Sequence, residues 1–213
     1  INDELINLYQ VIKENCDKLI QELESGKYYN EKEQYYKIRA ENPTDTVVRA
    51  ARLLYLNHTC FNGLYRVNKK GQFNVPYGRY PKNVLIYDKS NLYNVSKCLH
   101  PVQILSCDFE EAVKGAKKDD FIYLDPPYAP ISATSDFTSY TAKGFGYKDQ
   151  KRLAELFRKL DDRGCYVMES NSSAPLIFEL YEEYEIKEFK ARRYINSDPN
   201  GRKGVFETLI MNF

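Results

Sequence analysis

Phe121-Ile122-Tyr123-Leu124-Asp125-Pro126-Pro127-Tyr128 is the stretch on which the reading of this chain turns. Its first four residues are a short, β-prone apolar run preceded by charges, which predicts a buried strand whose C-terminal end delivers the following tetrapeptide into a crevice. Two consecutive prolines lock φ and remove two backbone donors. The Pro126 carbonyl therefore has no competing N–H beside it, and Asp125 and Tyr128 are held in an extended arrangement. The product is two hydrogen-bond acceptors beside an aromatic face. A planar ring with an exocyclic amine suits such a corner: the amine donates to the carboxylate and the carbonyl while the ring stacks on the tyrosine, as adenine or cytosine would. Asp, Pro and Tyr are also ordinary residues for ending a strand in a turn, so the surrounding chain has to decide.

On either side of this stretch the pattern alternates. Upstream, Val102 to Ser106 reads as a strand running into Cys107-Asp108-Phe109. Downstream, Lys148 to Leu160 reads as a helix, Gly164 to Met168 as a strand ending at Glu169-Ser170-Asn171, and Ala174 to Tyr184 as a helix. Strands at Glu185 to Lys190 and Val205 to Met211 complete the series. Strands alternating with helices, with crevice residues at successive strand ends, predict an open α/β sheet. Between Ala129 and Gly146 lies a polar segment rich in Ser, Thr and Gly, placed where either a lid or an inert surface loop would sit.

The N-terminal part reads differently. Asn2 to Glu24 carries Leu5, Leu8, Tyr9, Ile12, Cys16, Leu19, Ile20 and Leu23 on one stripe, with Asn2 to cap it and Gly26 to end it, so an amphipathic helix is expected. A tyrosine-rich helix follows from Asn30 to Ala40, stopped by Asn42-Pro43, and Asp45 caps a third that runs to Leu56. Leu64 to Val67 and Gln72 to Val75 are strand-like and flank Asn68-Lys69-Lys70-Gly71, which predicts a β-hairpin with glycine at the left-handed position. A hairpin of that width fits a DNA major groove, with Arg66 near its base in reach of a guanine edge and Leu64 and Pro76 of a thymine methyl.

The net charge of +1 hides an asymmetry. From Thr46 to Tyr87 there is no acidic residue, whereas Arg49, Arg52, Arg66, Lys69, Lys70, Arg79 and Lys82 lie within it. A local excess of positive charge points to a polyanionic partner, and Tyr55, Phe61, Tyr65, Phe73, Tyr77, Tyr80 and Tyr87 interleave it with rings able to stack on bases. A solvated loop region with some core aromatics gives the same composition, and both readings stay open here. At 213 residues, 43% hydrophobic and 29% charged, the chain can bury a full core. It has no apolar run of membrane-spanning length and no basic-then-apolar leader, so a cytoplasmic location is expected. Cys16, Cys60, Cys98, Cys107 and Cys165 include no Cys-x-x-Cys pair and have only His58 and His100 to supplement them. Free thiols are expected, with no metal site.

Three segments together give the chain a resemblance to the Dam-type (GATC) DNA adenine-N6 methyltransferases, of the D12 class and the alpha group of amino-methyltransferases. They are Phe61-Asn62-Gly63-Leu64-Tyr65-Arg66 with Gln72-Phe73-Asn74-Val75-Pro76-Tyr77-Gly78-Arg79-Tyr80, then Asp125-Pro126-Pro127-Tyr128-Ala129-Pro130 with Ser132-Ala133-Thr134, then Ser170-Asn171. The resemblance implies a Rossmann-like α/β sheet dependent on S-adenosylmethionine, with an inserted, mainly helical target-recognition domain that carries the hairpin. Residues 1–26 and 91–213 would form the catalytic domain and 27–90 the recognition domain.

By the same resemblance, Asp125 and the Pro126 carbonyl hold N6 of a flipped adenine, Pro127 keeps the turn rigid and Tyr128 stacks on the base. Asp125 also lies beside the methionyl end of S-adenosylmethionine, and Asp108 and Phe109 sit at the cofactor's adenine. Phe61 and Asn62 fill or flank the gap left by the base, and Leu64, Arg66 and Pro76 read the target. Arg79, Lys69 and Lys70 hold phosphates, with Asn68 beside them at the hairpin turn. The sulfonium already activates the methyl group, so the chemistry needs only in-line geometry and acceptors that free the N6 lone pair. Extruding the nucleotide costs a few kcal/mol, which contacts from the basic hairpin must offset.

Expected partners are double-stranded DNA and, within a restriction–modification system, a cognate endonuclease acting without direct contact; the expected state is a monomer. One departure stands out. Family members begin with Lys-Trp-x-Gly-Gly and a Phe-x-Gly-x-Gly turn that cradles the cofactor, whereas this chain has no tryptophan and no glycine before Gly26. The expectation is a fragment of a longer enzyme, with residues 1–213 alone binding S-adenosylmethionine poorly. The alternatives are a catalytically incomplete DNA-binding module and a methyltransferase for single-stranded DNA or cytosine N4.

Overall fold

The computed structural model describes residues 2–68, 70–81, 84–131, 145–191 and 205–213. They form two compact units, Ile1–Cys107 and Asp108–Phe213.

The first unit is helical. Helix α1 (Asp3–Leu23) begins where the Asn2 side chain accepts the Leu5 amide at 3.2 Å, and the chain leaves it through Gly26 at φ 81°. Helix α2 spans Lys32–Ala40, and α3 (Thr46–Thr59) is capped by Asp45, whose carboxylate accepts the Val48 amide at 2.9 Å. Most of the stripe read in the sequence is buried: Ile12, Cys16, Leu19, Ile20 and Leu23, with Val11 beside them, join Ala50, Leu54, Tyr55 and Leu56 of α3 in one core, whereas Leu5 and Tyr9 of the same stripe are exposed. Tyr35 and Ile38 of α2 close it from another side. A further helix, α4 (Lys89–Leu99), starts at an Asp88 cap and packs on α1, burying Leu92. The predicted hairpin is present in a reduced form, with one ladder pair, Val67 to Phe73, and a second bridge at its base, Cys60 to Tyr77. Gly71 takes φ 75° at the turn, as that position requires.

The second unit is a mixed α/β structure. Strands β1 (Phe121–Leu124), β2 (Tyr166–Ser172), β3 (Glu185–Ala191) and β4 (Val205–Met211) form one sheet in the order β1-β2-β4-β3. Strands β1 and β2 are parallel, and β4 runs antiparallel to both β2 and β3. Before them comes one helical turn, α5 (Phe109–Ala112); α6 (Tyr147–Asp162) and α7 (Pro175–Leu180) follow β1 and β2. The core sits on one face of the sheet, where Ile122, Leu124 and Val167 meet Leu153, Phe157 and Leu160 of α6 and Ile177 and Tyr181. Pairing of β1 with β2 stops at Leu124 opposite Glu169, while β2 continues through Ser172 on β4 alone.

One expectation is corrected. Val102 to Ser106 is not a strand, and Val102 and Leu105 are exposed, because β-prone composition supplies no hydrogen-bonding partner and no described strand pairs with it. By packing, residues 1–26 and 91–107 group with 27–90, since the apolar stripe of α1 is satisfied by α3 and α4. Packing alone assigns no function to α1. The segment read as a lid or loop lies largely outside the described residues, at 132–144, and so do Ser132-Ala133-Thr134, Lys69 and Lys82.

Candidate functional site

Strand β1 ends at Leu124, and the chain enters the two prolines at the level where β2 still runs on. Asp125 is exposed, with Oδ1 accepting the Ser170 hydroxyl at 2.9 Å. Ser170 in turn accepts the Tyr123 hydroxyl at 3.0 Å. One serine at the tip of β2 thus orients the carboxylate and spends its own acceptor capacity on a tyrosine from β1. Pro126, Pro127 and Tyr128 are half-buried, and burial raises the Tyr128 phenol while a hydrogen bond with Ser170 opposes the shift. A tyrosine so placed stays neutral and offers a ring face.

The backbone after the prolines is gripped by buried side chains. Gln150 of α6 donates to the Pro127 carbonyl at 2.9 Å, and Asn171 of β2 accepts the Ala129 amide at 2.9 Å. Ser172 donates to the Ala129 carbonyl at 2.5 Å. Behind these groups Asn171 donates to Gln150 at 3.2 Å and to Glu169 at 2.9 Å, and the Tyr181 hydroxyl donates to Glu169 at 2.5 Å. Burial pushes the Glu169 carboxyl up to about 7, against hydrogen bonds from Tyr181 and Asn171 that pull it down. None of the buried polar side-chain atoms described lacks a partner.

Beside the corner is a pocket of about 270 Å³ lined by Phe109, Tyr123, Leu124, Asp125, Pro126, Pro127, Phe145 and Leu153. Phe109 and Phe145 stand at 6.1 Å, tilted, and Arg152 lies 4.8 Å over the Phe109 ring. The structure thus brings Phe109 to the same pocket as Asp125 and the prolines. Asp108 does not line it: its carboxylate caps α5 through the Glu110 amide at 3.1 Å and accepts Arg152 at 3.0 Å. The volume lies near the lower end of the range for small-molecule sites, roughly 300 Å³, so this pocket suits part of a small-molecule ligand set against an aromatic wall.

The first unit carries a different kind of surface. Phe61 and Leu64 are 47% and 40% exposed, and Arg66, Pro76 and Arg79 are exposed as well. Asn62 and Gly63 both take left-handed conformations, φ 54° and 62°, which turns the chain sharply between the two apolar side chains. Arg66 donates through Nε to the Asn74 side chain at 2.8 Å and through Nη2 to its carbonyl at 3.3 Å, so one edge of the guanidinium is fixed and the other is free to pair. Asn68 folds onto its own turn, accepting the Lys70 and Gln72 amides at 2.9 and 3.0 Å, and Lys70 is exposed. At the base Gly78 donates to Thr59 at 2.8 Å and passes so close to Cys60 that a Cβ there would meet its carbonyl oxygen at 2.6 Å.

A cavity of about 630 Å³ opens between α2, α3 and the hairpin, with Arg39, Arg52, Lys70 and Asn74 in its lining. The polar partners found for its two guanidiniums are backbone carbonyls: Val75 for Arg39 at 2.9 Å, and Ile38 and Arg39 for Arg52 at 3.0 and 2.8 Å. Desolvation lowers the Arg52 guanidinium. Glu4 and Glu41 share the rim but are engaged by Arg49 at 2.6 Å and Lys27 at 2.7 Å. Cations whose partners are neutral, beside an open cavity, are equipped to take an anion.

Sequence reasoning placed Glu169, Ser170 and Asn171 at the end of a strand beside the crevice but assigned them no role, and it missed Gln150 behind the corner. The signals were present. Gln150 falls on the apolar stripe of α6 with Leu153, Phe157 and Leu160, and Glu169 shares a sheet face with Val167. A polar residue at a core position is rarely idle.

Comparison with known proteins bears on both regions. The family described as D12 class N6 adenine-specific DNA methyltransferase matches residues 1–195. A type II methyltransferase of Methanocaldococcus jannaschii is 48% identical, over 100% of this chain and 78% of its own length. A type II methyltransferase of Lactococcus lactis subsp. cremoris is 46% identical over 100% and 77%, and a DNA adenine methylase of Escherichia coli K12 is 35% identical over 99% and 77%. A match of this extent, reaching across the hairpin and the proline corner alike, shows that the chain belongs to the D12 class of N6 adenine-specific DNA methyltransferases.

Proposed function

We propose that this methyltransferase acts on duplex DNA within GATC, taking the methyl group from S-adenosylmethionine and placing it on N6 of an adenine turned out of the helix. The observation that carries the reading is the pocket at the tip of β1, where an exposed carboxylate and a rigid proline pair adjoin an aromatic wall. Asp125 and the Pro126 carbonyl would receive the two N6 hydrogens, and Tyr128 would stack on the base. S-adenosylmethionine, the methyl donor of the family, supplies an electrophilic methyl when bound. Phe109, with Phe145 packed against it, would border its purine, and Asp125 would face its methionyl end. The carboxylate of Asp108, held by Arg152, would contribute at the rim rather than inside the pocket.

On the DNA side, residues 27–90 are the proposed recognition domain. Phe61 and Asn62 would enter the space vacated by the adenine, and Leu64, Arg66 and Pro76 would read base edges. Phosphates would be held by Arg79, Asn68, Lys69 and Lys70, and by the guanidiniums of Arg39 and Arg52 along the 630 Å³ cavity. The names of the two type II methyltransferases support a role in a restriction–modification system, with the endonuclease acting on the same site without touching this chain. The reading includes a monomer working in the cytoplasm; among the described residues no helix is long and apolar enough to cross a membrane. The test is methyl incorporation into duplexes containing GATC against duplexes altered at one base and against single strands, with Asp125→Ala as control. Equal rates on all substrates would remove GATC from the proposal, and an active Asp125→Ala would remove the site.

A further inference from the structure

Gln150, Asn171 and Glu169 form a hydrogen-bond train whose direction is fixed by its ends. The Pro127 carbonyl can only accept, so the Gln150 amide nitrogen faces it and the Gln150 oxygen must accept from Asn171. The Asn171 oxygen is taken by two backbone donors, the amides of Ala129 and Ser172, both at 2.9 Å, so its nitrogen must supply Gln150 and Glu169. Glu169 therefore has to present an acceptor on the Asn171 side, and Tyr181 closes the other oxygen. All four side chains are buried, Gln150, Asn171, Glu169 and Tyr181 to 0% exposure. An amide turned the wrong way would leave two unmatched pairs with no water to repair them.

The train bears on the chemistry through geometry. With φ locked at Pro126 and Pro127, the main freedom left in the corner is rotation about ψ of the two prolines. Gln150 fixes the Pro127 carbonyl and Asn171 fixes the Ala129 amide, one on each side of Tyr128. The direction of the Pro126 carbonyl follows, and so does the Cα–Cβ direction from which the Tyr128 ring extends.

We propose that Gln150, Asn171 and Glu169 are positioning residues for methyl transfer: through the backbone of residues 127 to 129 they aim the acceptor and the stacking ring at the target amine without touching it. The inference rests on the reading of Asp125 to Tyr128 as the site of transfer. In the full-length protein, Gln150→Met keeps the length of the side chain and removes both polar ends. The expected result is a fall in kcat of about 10- to 100-fold, the usual effect of disturbing a supporting partner or displacing a reacting group by about an ångström, with KM and Kd for duplex DNA within about twofold. Glu169→Leu should behave alike. Glu169→Gln keeps the acceptor toward Asn171 but sets a donor against the Tyr181 hydroxyl, so kcat should recover in part, to a value between those of Glu169→Leu and the parent. Melting curves confirm that each variant is folded. Should Gln150→Met fail to fold, Tyr181→Phe carries the test, with kcat expected to fall at least about threefold at unchanged KM. A Gln150→Met enzyme with parental kcat, or one whose loss lies in DNA binding, overturns the proposal while Asp125→Ala remains inactive. An active Asp125→Ala would instead overturn the site itself.

Discussion

The hairpin of the first unit and the proline corner of the second are both short and irregular, and they are held in opposite ways. The hairpin is fixed at two levels by backbone bridges, Cys60 to Tyr77 and Val67 to Phe73, and its outward side chains, Phe61, Leu64 and Pro76, are exposed. The corner has no ladder at all. Its backbone is gripped by three side chains from α6 and β2, and its own side chain Asp125 is oriented by a fourth. The difference fits the proposed roles: a surface that would meet many bases needs a firm frame and free side chains, whereas a site that would meet one nitrogen needs its backbone aimed.

That contrast breaks most visibly at Asp125. Replacing it with alanine removes an acceptor required only as N6 leaves conjugation, so methyl incorporation should drop by about a thousandfold while duplex affinity stays within about threefold. Comparable losses in rate and affinity would mean that the corner also serves as a binding surface.

Next in size is the pH dependence of stability. The Glu169 carboxyl is raised from 4.5 to about 7, so the native state keeps a proton that the unfolded chain gives up. The associated stability is fully present below pH 4.5 and is lost as pH rises through about 7, with a total of about 3 kcal/mol. Its titratable neighbour is Tyr181, which Arg158 and Tyr184 influence in turn. Urea unfolding at pH 5 and pH 8 should show the decline in the parent and much less of it in Glu169→Gln. An identical slope in both would show that Glu169 is not the group responsible.

The hairpin should respond in smaller steps. Arg66→Ala should cost about 1–3 kcal/mol in discrimination between GATC and a duplex altered at a guanine, read from the ratio of kcat/KM values. Gly78→Ala places a Cβ at 2.6 Å from the Cys60 carbonyl and should destabilise the first unit by about 1–3 kcal/mol in urea unfolding. A neutral result there would mean that the frame is softer than its bridges imply. Arg79→Ala is expected to weaken binding evenly across sequences and to reduce the slope of log K against log salt by about one unit.

Much of this organisation was legible in the residues. The apolar stripe of α1, the Asn2 and Asp45 caps and the position of Gly71 all follow from local rules that tertiary contacts did not overturn. Helix α4 was less visible, although Asp88 followed by Leu92, Val95 and Leu99 carries both a cap and a helical period. Val102 to Ser106 shows the limit of that approach, since a strand is a property of two chains and composition describes one. Site residues split along the same line. Asp125, Pro126 and Pro127 could be read because one motif names them, and Phe109 because the family resemblance set it at the cofactor; the structure gathers all four at one pocket. Gln150, Glu169 and Asn171 could not be connected, because their link is a set of hydrogen bonds between residues up to 42 positions from the loop they hold.

Strand β1 stops three residues before its neighbour does: Leu124 faces Glu169, and Ser170, Asn171 and Ser172 extend past it. The proline corner occupies the berth that a longer β1 would have filled. Its placement is therefore counted in residues. One amino acid inserted after Leu124 would advance the corner by about 3.3 Å and exchange its two faces. Drift in length is the kind of change this junction is least able to absorb, whereas an extra residue in the open turn at Gly26 would merely enlarge a bend.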